Sequence, residues 1–209
     1  MKVLLLNGSP KQKGCTYTAL NIISETLNNE GIETEIFYSG INVLPCRACG
    51  ACAKLNKCII DDKVNEFTDK AESADGFIFG SPVHYASASG IITSFLDRVF
   101  YSASLSGRNI FRLKPGAVIT SARRSGTTAT MDQLNKYFSI SEMPIISSRY
   151  WNMVHGKTPE EVLKDKEGVQ IMRILGKNMA YHLKCKEAAA KAGIIPPDKE
   201  QTEYTNFIR

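Results

Sequence analysis

The chain has 209 residues, of which 43% are hydrophobic and 22% charged, and it carries a formal net charge of +5. That length fits one α/β domain able to bury a core without cross-links, and the composition excludes disordered and fibrous classes. The 26 basic and 21 acidic residues form no long basic block, so nucleic acid is not an expected partner, and no apolar stretch approaches the roughly 18 residues of a membrane helix.

Met1 leads directly into the apolar run Val3 to Leu6 without a basic leader or small-residue cleavage site, which points to a cytoplasmic protein. The run Lys2 to Leu6 is apolar on both faces, as suits a central parallel strand covered by helices above and below. Asn7-Gly8-Ser9-Pro10 ends it, and a helix follows from Gly14 to Thr16 onward, with Leu20, Ile23 and Leu27 at helical spacing, closing at Asn28-Asn29-Glu30-Gly31. A second strand is predicted over Thr34 to Tyr38 and a third over Gly76 to Gly80. Between them lie a cysteine-rich loop, 39–62, and the amphipathic segment Val64 to Ala74. Ile91 to Phe100 reads as a helix, Ala117 to Ser121 as a strand, Thr127 to Phe138 as a helix and Pro144 to Ser148 as a fifth strand.

In the last third, Pro159 marks a helix start, and Val169, Met172, Leu175, Met179 and Leu183 form an apolar stripe of core character. The segment 194–209 contains Pro196-Pro197 and little periodicity, so it is expected to be an extended tail or an arm embracing a second subunit, outside a domain spanning 1–193. Strands alternating with helices imply a five-stranded parallel sheet with helices on both faces. Such sheets bind ligands outside the carboxyl ends of their strands, which directs attention to the loops there.

Three of these loops carry chemistry. The first, Asn7 to Thr16, is rich in hydroxyls, glycine and lysine; backbone N–H groups at the following helix start, with Ser9 and Thr16, could hold a phosphate there. It lacks both the P-loop lysine and the spacing of the dinucleotide fingerprint. The second, Ser81 to Gly90, has small residues that leave room for a flat ligand, against which His84 or Tyr85 could pack. In the third, Ser121 to Thr128, the adjacent Arg123 and Arg124 could serve a phosphate, a carbonyl edge or a nicotinamide cofactor, or be a solvated pair.

Six cysteines in a reducing compartment are not expected to form disulfides, and four of them lie between positions 46 and 58. Cys46, Cys49, Cys52 and Cys58 form a C-x2-C-x2-C-x5-C run, whose first three thiols suit successive corners of an iron-sulfur cubane, with Cys58 returning to the same cluster. Zinc is an alternative, although its knuckles are usually separated by a longer finger, and thiols that carry no metal are another. Asp61-Asp62 is expected to cap the next helix, and Cys185 to be structural.

The string Gly8-Ser9-Pro10 with Gly14 and Thr16, then Ser81-Pro82-Val83 with Tyr85, then Arg123-Arg124 and Gly126-Thr127-Thr128 resembles the NADPH-dependent FMN reductase and iron-sulfur flavoprotein superfamily, and the likeness extends through Tyr150-Trp151-Asn152, His155-Gly156 and Met172-Arg173. The resemblance implies a flavodoxin-like fold in which Ser9, Lys11, Cys15 and Thr16, with Gly14 between them, hold the FMN phosphate. By the same likeness Pro82, Val83, His84 and Tyr85, after Ser81, border the isoalloxazine, and Ser121, Ala122, Arg123, Arg124 and Gly126 contact its other side. Cys15 departs from the asparagine or serine of many relatives. The cysteine spacing resembles the compact 4Fe-4S motif of the iron-sulfur flavoproteins.

The function expected is that of an electron-transfer flavoprotein, in which FMN and a cluster exchange electrons with ferredoxin, another redox partner, a quinone or a small oxidant. The alternatives are an NAD(P)H-dependent FMN or quinone reductase without a cluster, and a non-catalytic FMN-binding redox sensor. A homodimer or homotetramer is implied by the resemblance.

Overall fold

The computed structural model describes residues 1–205. Strand β1 (Lys2–Asn7) is followed by helix α1 (Cys15–Asn29) and strand β2 (Glu33–Tyr38). The cysteine-rich segment contains one short helix, α2 (Cys52–Leu55), and leads into α3 (Lys63–Glu72). Then come β3 (Gly76–His84), β4 (Ser87–Ala88), α4 (Gly90–Leu105), β5 (Gly116–Ala122), α5 (Thr127–Ile140), β6 (Met153–His155), α6 (Pro159–Lys164) and α7 (Lys166–Lys191).

The strands stand in the order β2-β1-β3-β5-β6, all parallel, with β4 paired antiparallel to the end of β3. Alternation along the strands divides the core between the two faces. Leu4, Leu6, Phe77, Phe79 and Val118 face α3, α4 and α5, where they meet Phe67, Phe95, Val99 and Phe138. Val3, Leu5, Ile78, Ala117 and Ile119 face α1 and α7, where they meet Leu20, Ile23, Met172, Leu175 and Met179. The apolar stripe of the last third is therefore core, with Val169 only half-buried at its start and Ile171 beside it fully enclosed.

Two expectations need correction. The fifth strand is not continuous over Pro144 to Ser148. That segment touches β5 through a single bridge, Gly116 to Ile145, and the strand proper is β6, eight residues after Ile145 by the numbering. Pro144 offers no N–H to the ladder. The chain then leaves the sheet and is closed off by buried Asn152, whose Oδ1 accepts from the N–H and hydroxyl of Ser148 at 3.2 and 2.9 Å and whose carbonyl accepts from Thr120 N–H at 3.0 Å. The third strand also runs further than Gly80. It continues to His84 and turns back through Tyr85 and Ala86, at φ 49° and 59°, the paired left-handed geometry of a two-residue hairpin loop.

Segment 194–205 has no regular structure, and Arg112 donates to the carbonyls of Pro197 and Asp198 at 3.0 and 3.3 Å. The remainder of the expected tail, 206–209, lies outside the described residues. No helix among the described residues is long and apolar enough to cross a membrane.

Gly116 opens β5 where a Cβ would stand 2.6 Å from the ring of Phe138, and that ring is held by stacking on Phe79 at 5.0 Å. Gly116→Ala is expected to destabilise the fold by about 1–3 kcal/mol through overpacking, read as a lower urea midpoint with an unchanged slope.

Candidate functional site

Strand order reverses between β1 and β3, so the loops after them diverge to opposite faces and leave a cleft at their carboxyl ends. Asn7, fully buried at the end of β1, shapes the first loop: its Nδ2 donates to Gln12 O at 2.9 Å and its Oδ1 accepts from Ser9 N–H at 3.2 Å. Ser9 Oγ accepts from Lys11 N–H at 3.1 Å. The loop then enters α1 at Gly14 with no side-chain cap, so the first-turn N–H groups are available to an anion.

The three loops converge. Ser89 caps α4 and donates its hydroxyl to Gly8 O at 2.8 Å, while its N–H reaches Ser81 Oγ at 3.1 Å. Thr16 and Ser121 share a buried hydroxyl pair at 2.8 Å, joining the first loop to the third. Gly126, at φ 96°, lies so near the hairpin that a Cβ would come within 2.5 Å of Ala86 Cα and 2.8 Å of Val83 Cγ1. Cys15 Sγ donates to Gly156 O at 3.6 Å, and His155 Nε2 meets Arg124 O at 3.0 Å, bringing in the loop after β6.

Of the expected ligand-facing residues, Lys11, His84, Tyr85, Arg123 and Arg124 are exposed at the rim. Ser9, Gly14, Thr16, Ser81, Ser121 and Ala122 are buried, and Cys15, Pro82, Val83 and Gly126 are half-buried. Among the described residues, Lys11, Arg123 and Arg124 have no carboxylate within ion-pair distance. Free cations beside an uncapped helix start favour an anionic ligand. The Thr16 hydroxyl is paired with that of Ser121, where either oxygen can be the donor, and its backbone N–H lies in the uncapped first turn of α1. Tyr85 is fully exposed on its strained turn, with no aromatic partner among the described residues.

The second cluster lies in the segment between β2 and α3. Cys46 and Cys49 are exposed, Cys58 is half-buried and Cys52 is buried at the start of α2. All four line one hollow with Ile60, Arg98 and Tyr101. Ala48 and Gly50 take left-handed φ values of 51° and 68°, which bend the run around this hollow. Among the described residues no three His, Cys, Asp or Glu side chains converge on a single ion. The Cys52 thiol is pushed above its ordinary pKa by burial and then by the neighbouring Cys58, Cys49 and Cys46, a penalty that a bound cationic centre would offset.

Arg98 is the residue that the sequence reading passed over. It lies one turn after Phe95 on the inward face of α4, and its side chain is fully enclosed. Its guanidinium clasps Asp62 at 2.7 and 2.9 Å and reaches Cys58 Sγ from both Nε and Nη2 at 3.3 Å. Burial opposes its charge, but the bonds to Asp62 and Cys58 outweigh burial and hold Arg98 above arginine's ordinary pKa. The signal in the sequence was a cation at core spacing within an otherwise apolar helix face. Asp62 caps α3 as expected, accepting from Val64 N–H at 3.0 Å, and serves Arg98 as well.

Residues 1–158 match the model of the NADPH-dependent FMN reductase family. Over 192 residues the chain is 32% identical to an iron-sulfur flavoprotein of Methanocaldococcus jannaschii, covering 88% of this chain and 98% of that one. An iron-sulfur flavoprotein of Methanosarcina thermophila is 29% identical over 150 residues, covering 70% and 77%. Among solved structures, a flavodoxin from the domain Archaea superposes with a TM-score of 0.60 at 15% identity over 88% of this chain and 99% of that one. The flavoenzyme NAD(P)H:(acceptor) oxidoreductase of Paracoccus denitrificans does so with a TM-score of 0.63 at 16% identity over 87% and 98%.

Burial, more than any other influence, raises the pKa of the Cys15 thiol even though it stands at a helix start. In protein stripped of ligands, iodoacetamide at neutral pH is expected to label Cys15 about tenfold more slowly than exposed Cys185, with the gap closing as pH rises. Peptide mass mapping over time reads this directly.

Proposed function

Since the chain belongs to the NADPH-dependent FMN reductase family, we propose that it works as an iron-sulfur flavoprotein, passing electrons between FMN at the strand-end loops and a 4Fe-4S cluster on Cys46, Cys49, Cys52 and Cys58. It is an FMN-dependent oxidoreductase. One observation carries the cluster reading: a single helix, α4, joins the two places. Its cap, Ser89, is bonded to the first two loops, and its Arg98 closes the cysteine hollow. From Ser89 to Arg98 a helix rises roughly 13 Å.

Bound FMN supplies hydride and one-electron chemistry, and the side chains around it position and neutralise. The uncapped start of α1, with Ser9, Lys11, Gly14, Cys15 and Thr16, receives the phosphate, chiefly through backbone N–H groups and the Lys11 charge. Pro82, Val83, His84 and Tyr85, following Ser81, border one side of the ring system; Ser121, Ala122, Arg123, Arg124 and Gly126 border the other. Arg123 and Arg124 also stand where the phosphates of NAD(P)H are met by charge. At the second site Cys46 and Cys49 are exposed, so a cluster held there would be open to ferredoxin, a quinone or a small oxidant.

The reading places the protein in a reducing cytoplasm, where its thiols stay available. It also makes the functional unit a homodimer or homotetramer, supported by exposed Tyr85 in the turn after β3, exposed Tyr150 and Trp151 before β6, and exposed Ile194 and Ile195 after α7. A flavin or quinone reductase without a cluster is the second reading, favoured by the matched family, whose description names FMN reduction and no cluster.

Two measurements decide. Anaerobically purified protein is expected to carry about four iron and four sulfide per chain, and their absence after reconstitution leaves the cluster-free reductase. Lys11→Ala is expected to weaken FMN about tenfold, equivalent to about 1.4 kcal/mol, while leaving riboflavin, which lacks the phosphate, unchanged. Equal losses for both ligands would place the phosphate elsewhere.

A further inference from the structure

We propose that Arg98 is the positioning residue of the cysteine site: it fixes the Cys58 sulfur through two N–H bonds and thereby raises the reduction potential of the cluster. The inference rests on the cluster reading above. Cys46, Cys49 and Cys52 follow one another at a regular spacing, with left-handed bends at Ala48 and Gly50 between them, and all three line the hollow. Cys58 falls outside that repeat, beyond the αL turn at Asn56 that ends α2, so local chain geometry does not place it.

Two side chains from elsewhere do so. Asn65 of α3 clamps its backbone, accepting from Cys58 N–H at 3.0 Å and donating to Cys58 O at 2.9 Å. Arg98 holds its sulfur from Nε and Nη2, both at 3.3 Å. The rest of the guanidinium is anchored by Asp62 and by the carbonyls of Ile60 and Leu44 at 3.0 and 3.4 Å, so its orientation is fixed before any ligand binds. Among the described residues, no side-chain donor reaches the sulfurs of Cys46, Cys49 or Cys52. The site is asymmetric, with one ligand held by a buried cation and three held by the backbone.

Hydrogen bonds and positive charge at a ligating sulfur stabilise the reduced, more negative state of a cluster and raise its potential. Removing them lowers it. The test is spectroelectrochemical titration of full-length, anaerobically purified holoprotein carrying Arg98→Met or Arg98→Lys. Arg98→Met is expected to make cluster reduction about tenfold less favourable, a fall of about 59 mV for a one-electron couple. Arg98→Lys, which keeps the charge and loses the fork, falls between it and the wild type. The FMN midpoint stays where it is in both.

Chelator-driven iron release is expected to quicken about tenfold in Arg98→Met. Should that single substitution fail to fold, the neutral pair Arg98→Met with Asp62→Asn removes the unpaired carboxylate and is expected to show the same fall. A full cluster whose midpoint does not move in these variants refutes the role of Arg98. Wild-type protein that takes up neither iron nor sulfide refutes the cluster itself.

Discussion

Adjacent strands β1 and β3 send their chains to opposite faces of the sheet, β1 into α1 and β3 into α4, and the cleft this opens at their carboxyl ends is the constraint on which both sites depend. Several groups that border the cleft are tied directly to one another. Ser89 reaches across from the start of α4 to Gly8 and Ser81, and Thr16 meets Ser121 beneath the opening. Gly126 packs on the hairpin so closely that no side chain fits between them. The loops therefore form one wall before a ligand arrives, which reduces the ordering cost that binding must overcome. The exposed Lys11, Arg123 and Arg124 remain outside these ties, free to meet charge.

The same reversal sets the second site. Because α4 leaves β3 toward the face that also receives α3, its inward stripe runs from the cleft along that layer, past Phe95, to the cysteine segment emerging after β2. Arg98, buried on the same helix, turns its guanidinium to the cysteine segment. One side of α4 therefore has two duties: its first turn closes the ligand loops and its third holds Cys58. Asp62 couples them to α3 by capping that helix and clasping the guanidinium with the same carboxylate.

Much of this was legible in the residues. The apolar runs at Val3 to Leu6 and Phe77 to Phe79 announce buried parallel strands, and the loops after them carry the small and cationic residues that a phosphorylated ligand needs. What escaped depended on tertiary contact. Met153 to His155 is too short to register as a strand, and it becomes one because Asn152 pins the preceding excursion and presents it to β5. The hairpin through Tyr85 and Ala86 hides because neither residue is the glycine or asparagine that such a turn usually advertises. Arg98 hides because its partners, Cys58 and Asp62, lie far back along the chain, and an isolated arginine in an apolar helix gives no hint of which carboxylate awaits it.

The cost of Arg98 bears on why it is there. A buried ion pair surrenders hydration on both partners, and replacing such a pair with well-packed apolar groups is often neutral or stabilising, whereas removing one partner alone costs about 3–5 kcal/mol. The layer around Arg98 offers apolar neighbours in abundance, with Phe95, Val99 and Val64 all enclosed, so packing alone gives no reason for a guanidinium at this position. Its donors account for it. Beyond the two oxygens of Asp62 they reach the carbonyls of Leu44 and Ile60 and the sulfur of Cys58, three points on a cysteine segment that has little regular structure of its own. An apolar side chain could fill the same space, but it could neither orient that backbone nor place positive charge against the Cys58 sulfur, and those are the two things a site built from an irregular loop requires.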